Sequence, residues 1–187
     1  MKSKHIIGGI LCTCAALTAC TSNAPWGMSD PLIGTTQNQK QFDGQILGDL
    51  MVINKNEIAA AKEARIRSHN PEVLRYAAFL ERQHTENLQK TIRLSKKLGV
   101  TAESSNFSLS LEKNGQQELV KLRSLNDAAF DKAYINAMVK GHQEAINFLN
   151  QTIAKSTNAE LTHQLQATRA HVQIHLNKAL MIQKHLG

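Results

Sequence analysis

The chain has 187 residues, 42% hydrophobic and 4% aromatic, with a formal net charge of +7, which is enough for one domain with a real core. Its three cysteines, Cys12, Cys14 and Cys20, all lie near the start, so the remainder must fold without disulfides. The positive charge is spread along helical faces without interleaved aromatics, and no nucleic-acid motif, Gly-rich phosphate loop, paired-Cys motif or Ser-His-Asp arrangement is present.

The chain opens with a basic start, Met1-Lys2-Ser3-Lys4-His5, and a short apolar run from Ile6 that ends in Leu17-Thr18-Ala19-Cys20. The run is shorter than the roughly 20 residues that span a bilayer. It reads as a secretory leader over residues 1–19 with a lipoprotein cleavage box, which is similar to the box read by the bacterial lipoprotein-processing peptidase. Cys20 then becomes the first mature residue and carries acyl chains, which anchor the protein stably to a membrane. Loss of Lys2 and Lys4 with the leader lowers the net charge from +7 to about +5. The next residue is Thr21 rather than Asp. By resemblance to the bacterial sorting rule, this favours the outer membrane, with the domain facing the periplasm.

Residues 20–43 contain Pro25, Gly27, Pro31, Gly34 and many polar side chains without sustained periodicity, and they read as a flexible tether. The domain proper is expected over residues 44–187. A first helix is expected over 45–68, with Leu50, Ile53, Ala60, Ala61 and Ala64 on its apolar face. Asn70-Pro71-Glu72 then supplies a cap, a first-position proline and an acidic first turn for a second helix over 71–98. Lys96, Lys97 and Gly99 end that helix. A short helix over 116–125 interrupts an irregular connection. A third long helix runs from Asn126 or Asp127 to about Lys155. Thr157-Asn158-Ala159-Glu160 reads as a capping box for a last helix that reaches the C-terminus. No strand pattern competes. Short first and last connections and a long middle one point to an all-α four-helix bundle, built as two helical hairpins joined by a crossover as in ferritin-like folds.

Polar groups interrupt the apolar seams. The second helix carries Val73, Ala77, Leu80, His84, Asn87, Thr91, Leu94 and Leu98, with Glu81 three residues before His84. The third carries Tyr134, Met138, His142, Ala145 and Leu149. The fourth carries Thr168, Val172, His175 and Ala179, with His171 one turn before His175. Glu57 lies between Ile53 and Ala61 on the first helix. Counted from the turns near residues 69–70 and 156, Glu57, Glu81, His84, His142 and His171 all lie roughly 20 Å along helices of roughly 40 Å. They therefore meet at one height. Two readings fit such a layer. One is a transition-metal ion (iron, manganese, zinc or copper) held by Glu57, Glu81, His84, His142, His171 and His175. The other is a polar core in which neutral histidines bond Asn87, Thr91, Thr168 or Tyr134, and the carboxylates pair with Arg169 or Lys178. His69, His163 and His185 read as surface residues, and Met138 and Met181 as core.

Three segments carry a family resemblance. They are Asn56-Glu57-Ile58 with Ala61 and Ala64, then Arg82-Gln83-His84-Thr85 with Asn87-Leu88, and Phe130-Asp131-Lys132-Ala133-Tyr134 running through Met138-Val139 to His142. His175-Leu176 with Ala179 fits the end of the last helix. Over residues 47–186 the chain resembles the ferritin-like, predicted outer-membrane family catalogued as domain of unknown function 4142. The resemblance implies an exported ferritin-like bundle with no established activity, and Glu57, His84, Asp131, Tyr134, His142 and His175 as matching polar positions. It departs from di-iron proteins in its second half. His142 stands where a Glu is expected, and Thr168 and Val172 stand three residues before His171 and His175. One metal ion or none fits better than a bridged pair. Three functions follow as expectations. The leading one is a non-catalytic binding or structural envelope lipoprotein that holds at most one metal ion. The others are a metal-dependent oxidase or peroxide-handling enzyme, and a module that binds a protein or an envelope polymer through its basic surface.

Overall fold

The computed structural model describes residues 31–187, with side chains from residue 36 onward. The leader, Cys20 and the tether up to residue 30 lie outside the described residues. Everything described is helix or connection: α1 (Pro31–Arg67), α2 (Pro71–Leu98), α3 (Asn106–Arg123), α4 (Asp127–Lys155) and α5 (Ala159–Leu186).

The first helix starts 14 residues earlier than its apolar face suggests, so residues 31–43 are helix rather than tether. The cause is tertiary. Gln39 donates to Asp43 one turn on at 2.7 Å, Asp43 accepts from Asn158, just before α5, at 2.9 Å, and Phe42 packs on the core. Residues 36–41 are polar and mostly exposed, which hides their helicity in the sequence.

Caps set the other boundaries. The Asn70 carboxamide accepts from the Glu72 and Val73 amides, and Gly99 leaves α2 at φ +61°, a left-handed conformation that glycine adopts freely. Ser105 and Ser108 close a capping box on α3, which is 18 residues long and covers more of the crossover than the short helix expected there. At α5 the capping residue is Asn158, which accepts from the Glu160 and Leu161 amides, and not Thr157. Asn and Thr are both good caps, so the sequence left the choice between neighbours to the chain's path.

The three-residue turns 68–70 and 156–158 make α1/α2 and α4/α5 antiparallel hairpins. They sit at opposite ends of the molecule. Asn158 in the second turn bonds Asp43 in the first third of α1, whereas Arg67 beside the first turn bonds Asn126 before α4. α5 runs antiparallel to α2 (His185 with Glu72, Gln164 with Asn87), and α3 runs parallel to α1 (Ser105 with Asp49, Arg123 with Glu63). α3 thus climbs the outside of the molecule from the end of α2 to the start of α4. Glu63 clasps it to α1 by pairing with both Arg67 and Arg123. Burial raises the Glu63 pKa, but hydrogen bonds from the two guanidinium groups outweigh it and hold the carboxyl below its ordinary range.

The core is in two parts. One contains Leu80, Leu122, Phe130, Tyr134 and Ile135, and the other contains Leu47, Leu50, Leu149, Leu161 and Leu165. Buried Asn54, His84, His142 and His175 lie between them. Met138 is core as expected, but Met181 is 58% exposed, because it lies two residues off the seam marked by Ala179 and Ile182. The connection 99–105 crosses α1 so closely that an ideal Cβ on Gly48 would lie 2.0 Å from the Glu103 carbonyl oxygen, and one on Gly44 2.6 Å from that of Thr101. A Gly48→Ala substitution sets side chain against backbone. It should lower unfolding free energy by about 1–3 kcal/mol in urea titrations, as overpacking does, whereas Gly99→Asn, at an open left-handed position, should cost much less.

Candidate metal centre

The polar layer is built from one seam position on each of four helices. On α1 the buried positions Leu47, Leu50, Asn54, Ala61 and Ala64 follow the three-and-four spacing of a packed helix, with Asn54 in the middle. His84 occupies the matching position on α2, His142 on α4 and His175 on α5, and each is at most 3% exposed. The ring centroids are 5.9 Å apart for His84 and His142, 5.0 Å for His84 and His175, and 5.3 Å for His142 and His175.

Hydrogen bonds fix two of the three tautomers. The Asn54 amide nitrogen donates to the Leu50 carbonyl at 2.6 Å, so its Oδ1 faces His84 and accepts from His84 Nδ1 at 3.0 Å. Asn87 donates to the same Oδ1 at 3.2 Å. His142 Nδ1 donates to the Met138 carbonyl at 2.6 Å. Both rings therefore carry their proton on Nδ1 and present the Nε2 lone pair. Neither Nε2 has a protein partner, and neither nitrogen of His175 has one. Each of the three histidines offers a nitrogen within 4.8 Å of the others. A metal ion about 2.0–2.1 Å from each imidazole nitrogen would draw them in by rotations of about an ångström. The His84 and His175 rings are neutral. Burial, then the neighbouring His175 and His142, pushes His84 well below its ordinary pKa of 6.5. Burial, then His142, His171 and Lys178, brings His175 down to about 3. Orienting groups behind neutral imidazoles are what a histidine metal site requires.

The remaining sequence candidates do not join this group. Glu57 comes closest: it lies near His142, its Oε2 is enclosed without a hydrogen-bond partner, and burial raises its pKa against the opposing effect of His142. Its carboxylate is nevertheless outside the three-nitrogen group. Glu81 turns to the surface and pairs with Arg65 at 2.6 Å. Three-residue spacing places it on the flank of His84's face. His171 is half-buried one turn from His175, outside the group. Asp131 and Tyr134 are buried about 12–16 Å along α4 from His142, in the upper core, where Tyr134 stacks on Phe130 and meets Tyr76 edge-on. Each holds a polar oxygen without a partner.

The hydrogen bonds expected of a packed polar core also differ. Asn87 serves Asn54, Gln164 and Thr168; Thr91 donates to the Asn87 carbonyl; and Tyr134 bonds no histidine. Arg169 bonds Asn150, and Lys178 lies over the Phe79 ring. His69 and His185 are exposed, next to Asp127 and Glu72, and His163 is exposed as well. Asn54 was not among the sequence candidates. The signal for it was present, as a polar residue at a three-and-four seam position opposite His84.

A family profile for domain of unknown function 4142 matches residues 31–182. The chain belongs to the DUF4142 family. Its profile thus starts where α1 starts. The fold is similar to that of a protein described as secreted, of the domain-of-unknown-function-305 group, from Streptomyces coelicolor. The two share 14% identity over 78% of this chain and 94% of that one, with a TM-score of 0.68. At that identity the likeness shows the fold alone. None of the curated proteins matches the chain. Among the described residues of this DUF4142 chain, no helix is long and apolar enough to cross a membrane.

The neutral imidazoles set an acid limit for the metal-free protein. Below pH 6.5 the unfolded chain binds protons that buried His84 and His175 refuse, so stability falls as pH falls. Glu57 on α1, beside His142, opposes this, because its raised pKa lets the fold take up a proton above the ordinary 4.5. Lys178 on α5 adds a like charge that keeps His175 neutral. In a Glu57→Gln background the urea midpoint should therefore decline steadily from pH 6.5 to pH 4.5. Adding His175→Leu should flatten the decline; an unchanged slope would assign it to other groups.

Proposed function

We propose that this protein is an exported, lipid-anchored, ferritin-like four-helix bundle that holds one transition-metal ion on His84, His142 and His175 as a non-catalytic module of the bacterial envelope. One observation carries the reading: three buried imidazoles from three helices turn nitrogens without protein partners toward one point, and two of them are oriented from behind. Burying an unpartnered polar atom costs about 1–3 kcal/mol, and a metal ion at that point offsets several such costs together. Two hairpins with a crossover outside them support the bundle reading. An all-imidazole donor set suits copper or zinc better than manganese, which prefers oxygen.

The donor set speaks against a di-iron oxidase. A di-iron oxidase centre needs bridging carboxylates, and none joins the three nitrogens here. Export and anchoring rest on the leader and the Cys20 box. The description of the structural neighbour as secreted agrees with export. The outer membrane remains the proposed location, on Thr21.

Two measurements test this. Elemental analysis of the full chain, purified after export, should give one equivalent of copper or zinc, lost in His84→Ala/His142→Ala. A metal-free protein that gains no thermal stability from added metals would defeat the metal reading. Separately, Cys20→Ser should move the protein from the membrane fraction to the soluble fraction. Retention in the membrane fraction would defeat the anchor.

A further inference from the structure

Two cavities flank the histidine layer, and they differ in charge. The larger, about 500 Å³, lies between α1, α3 and α4. Its walls are largely apolar, with Ile53, Phe107 and Met138 among them, and its charged lining is Glu57, Glu118 and Glu144 against Lys121 and Lys140, one carboxylate in excess. Glu118 and Glu144 are held loosely by Lys121 at 3.6 Å and Lys140 at 3.9 Å. Glu57 has no such cation. Gly141 makes room for it, since an ideal Cβ there would lie 3.4 Å from Glu57 Oε1. Its other oxygen, Oε2, is closed off from solvent without a hydrogen-bond partner, and its charge acts on His142. The same carboxylate thus belongs to the wall of the cavity and to the surroundings of the histidines.

The smaller cavity, about 340 Å³, lies between α2 and α5 and is lined by Arg75, Lys178 and His185 against one carboxylate, Glu72. Phe79 lines it too and stands edge-on to His175 at 5.2 Å, with Lys178 5.3 Å above the ring. A cation approaching from that side meets like charges and an aromatic plug.

We propose that the cavity between α1, α3 and α4 is the path by which a hydrated divalent cation reaches His84, His142 and His175, and that Glu57 takes the ion from water and passes it on. This inference rests on the metal reading above. An ion with six waters occupies about 200 Å³ at roughly 30 Å³ per water, so it fits the larger cavity with its shell. A carboxylate oxygen replaces a water without demanding dehydration of the whole ion. Imidazole then out-competes that single carboxylate for copper or zinc. Only ligand exchange is involved, with no change of oxidation state.

The test separates rate from affinity. Metal-free full-length protein is mixed with Co²⁺, whose absorption reports nitrogen coordination, and uptake is followed by stopped flow. Glu57→Gln, nearly isosteric, should slow uptake by about tenfold or more while the final spectrum and Kd stay close to those of the unaltered protein. Ala137→Leu, which narrows the cavity without touching a charge, should slow it as well, and Met181→Ala beside the other cavity should not. Folding of each variant is checked by circular dichroism. Equal rates in all variants would overturn the inference and leave the metal reading standing. A changed spectrum and Kd in Glu57→Gln would make Glu57 a resident ligand and overturn the transfer role. Absence of Co²⁺ binding in the unaltered protein would overturn the metal reading and this inference with it.

Discussion

The molecule is organised around a polar layer that cuts its hydrophobic core in two. Asn54, His84, His142 and His175 come from four helices and meet at one depth, where leucines would pack at no polar cost. Each buried polar atom without a partner costs about 1–3 kcal/mol, and small domains are stable by only about 5–15 kcal/mol in all. Four imidazole nitrogens without protein partners are therefore a large charge on the fold. The flanking leucines and aromatics must supply that margin, and any ion that satisfies the nitrogens returns part of it. This is why fold and site cannot be separated here: the residues that weaken the core are those that converge.

Register follows from the same layer. Helices packed through aliphatic seams alone can slip by a turn at modest cost. The bond from His84 to Asn54, with Asn87 on the same oxygen and Thr168 and Gln164 on Asn87, ties α1, α2 and α5 at one height. Tyr76 adds a second tie by donating to the His175 carbonyl at 3.1 Å. Directional hydrogen bonds in a dry setting tolerate little displacement. The polar layer thus gives up stability and fixes which turn of each helix faces which.

Much of this arrangement was legible in the chain. Punctuation at Asn70-Pro71 and Gly99, and the seams of α2, α4 and α5, follow from capping chemistry and helical spacing, which are local. Counting from the turns brought His84 and His142 to one depth, because rise per residue is constant, but on the last helix it pointed to His171, and the residue that joins them is His175, one turn on along the seam. Three things escaped. The start of α1 depends on Asp43 reaching Asn158, a contact 115 residues apart. The departure of Glu81 from the layer depends on Arg65 of the neighbouring helix, which spacing on α2 alone does not report. Asn54 was passed over because its neighbour Ile53 was assigned to the apolar face, whereas in the fold Ile53 is half-buried and Asn54 is buried. Sequence periodicity assigns faces well, but it does not decide which of two adjacent polar side chains turns inward.

The opposed hairpin turns give the molecule two unlike poles. The 156–158 turn meets α1 at Asp43, so α1 begins about three turns beyond that pole, and α5 ends at the other, beside Glu72 and the 68–70 turn. If Cys20 is held in a bilayer, the pole bearing Gly187 is the one presented to the compartment, the length of α1, roughly 55 Å, from the start of the fold. A domain fused at Gly187 would sit at the far tip of a rod, clear of the lipid surface, and a docking partner would meet the 68–70 and 124–126 loops first.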